Sequence, residues 1–286
     1  MTCVIDRAEI SPIRDYDFKT VDFKQIYHDK YVYKCRACGL EQVDVSKICS
    51  EKLIDYYKFA YRNVAKIATA DSDGQRNYYR ARGRALADLI KTAPTRVFEL
   101  GSGHGFNLME IKNRYPDALL FTDELDETAG GTSLAVKGSL SDGPYDVIIL
   151  SHVLEHFADP VTLLRASADA LSPGGNIILE VPNDIPNIFP LNGPDEPHLI
   201  FFTIPTLKYC ISSAGFTDIS IFTAGPTVRY KNLKNRLKPV IRDLITSLPM
   251  FSNYMKRRSA KLNDLVDLSQ HNLEGNVIRA VLSGKS

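Results

Sequence analysis

Four short stretches carry residue types and spacings that could do chemistry. S-H-V-L-E-H-F (151–157) sets His152, Glu155 and His156 in the order H-x-x-E-H, which one group of zinc peptidases uses to hold a metal. E-L-G-S-G-H-G-F (99–106) is a glycine loop with Glu99 just before it. F-T-D-E-L-D (121–126) is an acidic turn, and C-R-A-C-G (35–39) is a C-x-x-C knuckle. A metal-binding H-x-x-E-H needs a helix that carries both histidines on one face. Here Y-D-V-I-I-L-S reads as a strand running into His152, and Asp159 with Pro160 reads as the cap and first residue of a new helix. The interval is too short, and no obvious third ligand follows, so the zinc-peptidase reading is set aside. Three readings stay open. His156 or Glu155 is a general base. His152, Glu155 and His156 hold a divalent ion. Or the His–Glu pair only fixes the turn while Val153, Leu154 and Phe157 pack.

The glycine loop follows a strand and opens a helix, so the backbone can turn tightly and a ligand can approach closely. A dinucleotide, S-adenosylmethionine or a plain sharp turn would each suit it. Glu99 favours a cationic ligand, because a carboxylate beside a pyrophosphate repels it. Asp123 and Glu124 end the next strand, where an acid can accept both ribose hydroxyls; a solvated acidic turn is the bland alternative. Cys35 and Cys38 give two thiolates, and Gly39 lets the knuckle reverse. A closed tetrahedral site needs two more ligands: Cys3 lies far upstream, C-V-I-D places Asp6 where a second C-x-x-C would have its partner, and His28 and Cys49 are alternatives.

The elements that must position these groups follow from periodicity. Strands are expected at 96–100, 118–122, 133–136, 145–150 and 176–181, with helices at 105–115, 160–171 and 203–214. Alternation of this kind implies a mainly parallel α/β sheet covered on both faces, with ligands at the carboxyl ends of the strands. T-D-I-S-I-F-T (217–223) and N-V-I-R-A-V-L-S (276–283) read as final strands. S-E-K-L-I-D-Y-Y-K-F-A-Y reads as a helix capped by Ser50, and R-A-R-G-R-A-L-A-D-L-I as a second helix ended by Pro94. The expected division is 1–49, a cysteine-bearing N-terminal module; 50–94, a helical linker; 95–227 with 273–286, the core; and 228–272, a basic helical insertion.

Bulk numbers narrow the function classes. The chain has 286 residues and a formal net charge of +1, which gives no global pull toward nucleic acid. No apolar run reaches the roughly 18–20 residues of a membrane helix. M-T-C-V-I-D-R-A-E-I lacks the apolar core of a secretory signal. Five cysteines, an odd number, fit a reducing cytoplasm and metal or free thiols.

Taken in order, E-L-G-S-G-H-G, D-E, Y-D-V-I-I-L-S-H-V-L-E-H-F-A-D-P, L-S-P-G-G-N-I-I-L-E-V-P-N and H-L-I-F-F-T-I-P-T-L-K-Y-C-I-S-S-A-G-F resemble the class I S-adenosylmethionine-dependent methyltransferases over about 95–224. The branch acting on sugars, quinones and other small molecules is the most similar. The resemblance implies a Rossmann-like doubly wound fold and S-adenosylmethionine as cofactor. Glu99, Gly101 and Gly103 would lie along its methionine part, Asp123 (or Glu124) on its ribose, and Ser139 and Leu140 beside its adenine. Ser151 and His152 would sit near the sulfonium. Sugar-modifying members often carry an N-terminal zinc ribbon followed by a Y-Y helix like D-Y-Y-K-F-A-Y. That implies zinc at Cys3, Asp6, Cys35 and Cys38, or a metal-free remnant of the site. Some quinone members bind a metal with an E-x-x-E-H turn, from which this chain departs at His152.

The implied function is methylation of a sugar, nucleotide-linked or on a surface glycan, as in polysaccharide biosynthesis. A quinone or lipid acceptor, a non-catalytic cofactor-binding partner and an NAD-dependent oxidoreductase are the rivals. The loop V-P-N-D-I-P-N-I-F-P-L-N-G-P-D-E-P-H-L (181–199) is expected to line the acceptor pocket, with His198 a second base candidate. Between 229 and 261, ten Lys or Arg face one acid, Asp243. That segment is expected to be a solvated helix face, a collar for an anionic sugar, or a contact with an anionic membrane.

Overall fold

The structure, a computed structural model, describes residues 1–16, 21–61, 73–129, 133–183, 198–227 and 275–283. At the N-terminus β1 (Ile10–Asp15), α1 (Val21–Ile26), β2 (Tyr31–Cys35) and β3 (Glu41–Val43) follow one another. β1 pairs antiparallel with β2, and β2 with β3. The next helix begins at Ser50, with Cys49 as its extended N-cap residue and no side-chain cap bond, so Ser50 is not the cap expected from sequence. It runs as α2 (Ser50–Asp55) into a π-helical turn, Tyr56–Ala60. α3 (Asp73–Ala87) stops well short of Pro94, so the proline does not end it.

The core then alternates β4 (Arg96–Leu100), α4 (Phe106–Arg114), β5 (Leu119–Asp123), β6 (Val136–Lys137), β7 (Tyr145–Ser151), α5 (Pro160–Asp169) and β8 (Leu171–Pro182). β9 (Ile200–Phe201), α6 (Ile204–Ser213), β10 (Ile219–Thr227) and β11 (Gly275–Ser283) complete it. The third core strand lies later than the expected 133–136 and is only two residues long. The seven-stranded sheet has the order β10-β11-β8-β7-β4-β5-β6. The five strands from β8 to β6 are parallel, and β11 runs antiparallel between β8 and β10.

The continuous apolar run of β7 has a simple cause. Ile148 and Leu150 enter one core with α5 and α6, while Val147 and Ile149 enter a second core with Leu86 of α3 and Leu108 and Ile111 of α4. A strand buried on both faces has no side free for polar residues. The expected doubly wound sheet is therefore present. The N-terminal sheet joins the first of these cores through Val4, Ile10, Tyr16 and Val32. β3 also pairs with β9, matching Glu41 with Phe201 and Gln42 with Ile200. The basic stretch 229–261 and most of the proline-rich loop lie outside the described residues.

Candidate functional site

The glycine loop connects β4 to α4. Gly101 has φ +66°, which strains any side chain there, and a Cβ would lie 3.2 Å from Val153 Cγ2, which would have to give by a few tenths of an ångström. Its N–H donates to the Asp123 carbonyl at 3.0 Å, tying the end of β4 to the end of β5. Asp123 is the last residue of β5 and half-buried. Glu124 instead turns back onto the loop, where its Oε2 accepts the Gly103 N–H at 2.7 Å. Glu99 is buried. Asn107 Nδ2 donates to its Oε1 at 2.7 Å, but Oε2 has no hydrogen-bond partner. Burial pushes this carboxyl up to about 8. Ser139 caps the 3-10 turn Leu140–Asp142, its hydroxyl bonding the Asp142 carboxylate at 3.0 Å. Leu140 is partly buried against the first core.

Beyond β7 the chain makes one 3-10 turn, Leu154–His156, and Asp159 caps α5 with Pro160 in its first turn. This is the expected strand–turn–helix, with no long helix to present two histidines. His152 has φ +54°, an uncommon left-handed conformation for a residue with a side chain. Its Nδ1 lies 3.4 Å from Glu155 Oε1 and its Nε2 lies 3.5 Å from Glu180 Oε1. Glu155 is fully buried and neither oxygen has a hydrogen bond. His156 Nε2 lies 3.8 Å from it, and His156 Nδ1 shares a 2.8 Å hydrogen bond with Tyr57 OH. The His198 ring stacks edge-on to His156 at 5.0 Å. Glu155, His156 and His198 offer ligand atoms all within 4.8 Å of one another.

Behind this turn lies a group of charges that the sequence reading did not single out. Arg82 of α3 donates from Nε to Glu180 Oε1 and from Nη2 to Ser151 Oγ, the latter at 2.6 Å. Arg279 of β11 donates from Nε to Glu180 Oε2 at 2.6 Å. Burial opposes the charge on Glu180, but Arg82, His152 and Arg279 overcome it and hold the carboxyl well below its usual range. Burial and Arg82 push His152 down, yet Glu155 and Glu180 outweigh them and raise it. A signal for this group was present. Glu180 and Arg279 each interrupt an apolar strand run, and a buried charge needs a partner. Tyr57 was visible only as part of its Y-Y helix.

The cysteine cluster assembles as expected. Cys3, Asp6, Cys35 and Cys38 offer ligand atoms all within 4.8 Å of one another. Cys3 Sγ and Cys38 Sγ are 3.7 Å apart, close to the separation of two thiolates on one tetrahedral zinc. Backbone N–H groups of Ile5, Ala37 and Cys38 point at the sulfurs. The donor set therefore fits zinc. Cys49 and His28 are not part of this cluster; Cys49 caps α2.

Comparison with known proteins gives the family. A family profile described as "Methyltransferase domain" matches residues 71–221, more than half of the chain. Two proteins named tRNA U34 carboxymethyltransferase share local similarity. The one from Trichodesmium erythraeum is 36% identical over 89 residues, covering 29% of this chain and 27% of that protein. The one from Desulfotalea psychrophila is 24% identical over 160 residues, covering 46% and 48%. The chain thus spans about half or less of these relatives' lengths. The solved plantazolicin methyltransferase BpumL, in complex with SAH, superposes with a TM-score of 0.50 at 15% identity, covering 82% of this chain and 94% of that one. At that identity it is the fold that is shared. Sheet order, glycine loop and profile agree, and the chain belongs to the methyltransferase domain family, the class I S-adenosylmethionine-dependent methyltransferases.

Proposed function

We propose that this chain transfers a methyl group from S-adenosylmethionine to a small molecule, a nucleotide-linked or glycan sugar. One observation carries the reading. Two buried carboxylates stand near the carboxyl ends of adjacent strands: Glu99 in β4, with one oxygen lacking a hydrogen bond, and Glu155 in the turn after β7, beside His152 and His156 but hydrogen-bonded to neither. The first suits the cationic methionine end of the cofactor, together with Gly101 and Gly103. The second faces the acceptor side with His156 and His198. Asp123, backed by Glu124, would take the ribose hydroxyls. Ser139 and Leu140 would flank the adenine, and Ser151 and His152 the sulfonium.

In the transfer an acceptor lone pair forms the new bond to the methyl carbon. The S–CH3 bond breaks, and its electrons return to sulfur and cancel the sulfonium charge. In the tautomer that donates Nδ1–H to Tyr57 Oη, His156 Nε2 keeps its lone pair and would take the acceptor's proton, while Glu155 supports the imidazolium. His198 is the second candidate. Proximity and orientation supply most of the acceleration. Cys3, Asp6, Cys35 and Cys38 would hold a structural zinc, which would brace the 1–49 module and take no part in the transfer.

The near-neutral chain favours a small acceptor over a polyanion, although the carboxymethyltransferase relatives make tRNA a control worth including. Calorimetric titration with S-adenosylmethionine and with NAD tests the cofactor. Only the first should bind, and Gly101→Val should abolish binding. Mass spectrometry after incubation with methyl-labelled cofactor, a small-molecule extract and tRNA tests the acceptor. Label in nucleotide-sugars supports the reading. Label in tRNA or quinones redirects it, and cofactor binding with no labelled product favours a non-catalytic role.

A further inference from the structure

Glu180 has two guanidiniums where one would neutralise it. Arg279 lies within the sheet, almost wholly buried, and occupies Glu180 Oε2. Arg82 comes from outside the sheet. It takes Oε1 and reaches past it to Ser151 Oγ, the last side chain of β7. Its side chain is 15% exposed, whereas that of Arg279 is 1% exposed, so of the two guanidiniums Arg82 is the one that a ligand can approach. It also lies near enough to Glu99 to ease the ionisation of that carboxyl. Arg82 thus lies near Glu99 on the cofactor side and beside Ser151, Glu180 and His152, with its fork fixed by two bonds. A guanidinium stays charged at any working pH.

We propose that Arg82 sets the balance between the sulfonium cofactor and its uncharged thioether product. This rests on the S-adenosylmethionine reading above, which places the sulfonium beside Ser151. The cofactor brings a positive sulfur toward a guanidinium already held in place. The repulsion lasts only while the methyl group is on sulfur and fades as the S–CH3 bond breaks. A contact that is worse for the bound reactant than for the transition state speeds transfer rather than tightening binding. Glu99 and the carboxylate-rich turn keep the reactant bound in spite of it. The consequence is comparatively tight retention of S-adenosylhomocysteine.

Calorimetric affinities for S-adenosylmethionine and S-adenosylhomocysteine, taken as a ratio, test this. Arg82→Met should raise the ratio in favour of the sulfonium by at least about tenfold, the effect of one unit charge about 12 Å away at an effective dielectric of about 20, and by more the closer the charge lies. Arg82→Lys keeps the charge and should leave the ratio within about twofold of the parent. Glu180→Gln strips the counter-charge from both guanidiniums and should shift the ratio the other way. A merely structural role would weaken both ligands together and give Arg82→Met and Glu180→Gln the same sign. An unchanged ratio in Arg82→Met, or shifts of equal sign in the two variants, overturns the proposal. Should Arg82→Met fail to fold, Arg82→Gln keeps donors for Ser151 and Glu180 without the charge and carries the same expectation. A parent that binds neither ligand overturns the cofactor reading itself, which is a separate outcome.

Discussion

Glu99 and Glu180 are both glutamates inside apolar strands, and their surroundings drive them in opposite directions. Glu180 is matched by two guanidiniums and stays ionised; Glu99 has one amide donor and an unpartnered oxygen, and burial pushes it up to about 8. A carboxyl whose pKa is higher folded than unfolded helps the fold at low pH. That contribution is complete below about 4.3, the unfolded value, and is lost as pH rises toward about 8. Glu99→Gln cannot take the charge, so without cofactor it should gain stability relative to the parent as pH rises from about 5 to 9. It should also bind S-adenosylmethionine more weakly. Parent binding near pH 7 should release a proton, read by calorimetry in buffers of different ionisation enthalpy. Equal stability profiles for parent and variant would refute the assignment. Glu99 was legible in sequence because an acid beside a glycine loop is conspicuous. Arg82 was not. R-A-R-G-R offers three arginines, and helix rotation alone decides that Arg80 and Arg84 meet Glu110 while Arg82 turns to the sheet.

That rotation is fixed where α3 crosses α4. A Cβ on Gly83 would lie 2.8 Å from the Phe106 carbonyl oxygen and 3.2 Å from Asn107 Cα, so the two helices touch backbone to backbone. Phe106 and Asn107 open α4 just after the glycine loop, and Asn107 is the donor to Glu99. Gly83→Ala would ordinarily favour a helix by roughly 0.5–1 kcal/mol. Here overpacking should cost about 1–3 kcal/mol instead, because the contact is with backbone that cannot rotate away. Thermal melting should show the loss, and S-adenosylmethionine affinity should fall with it. A variant as stable as the parent would mean that the helices can separate freely. The strands of the core were legible because runs such as Y-D-V-I-I-L-S are apolar on both faces. β6 was misplaced because S-L-A-V looks like a strand, while pairing with β5 begins only at Val136. The end of α3 was misplaced because Pro94 is a strong breaker but nothing requires a helix to reach it. The α2 cap was misplaced by one residue, which side-chain preference alone does not resolve.

At the scale of the molecule, the N-terminal sheet is built into the core. Tyr16 OH donates to the His198 carbonyl at 3.0 Å, and β3 continues onto β9. Replacing Cys35 and Cys38 together by Ser should remove any bound zinc. It should also lower hydrogen-exchange protection at β9 and around His198, while β4 and β7 stay protected by the core between the sheet and α3–α4. Elemental analysis of the unmodified protein, purified without chelator, checks the metal directly, and a zinc-free result favours a remnant site. Charge is also unevenly spread along the chain. The whole carries +1, yet 229–261 holds ten basic residues and one acid, so the remainder is acidic. Leu233, Leu237, Ile241, Leu244 and Leu248 recur at helical spacing there, with Pro239 interrupting them. A basic segment joined to an acidic body should draw an anionic acceptor through long-range attraction, which salt weakens over about 10 Å at 0.1 M. Changing Lys231, Lys234 and Arg236 together to Ser should then raise the KM for a nucleotide-sugar, more at low salt than at high, with cofactor affinity unchanged. If the segment instead meets a membrane, the parent should sediment with anionic and not with neutral vesicles, and the triple variant should not. Unchanged kinetics in the variant, with no vesicle binding by the parent, would leave the segment's charge with no part in acceptor or membrane binding.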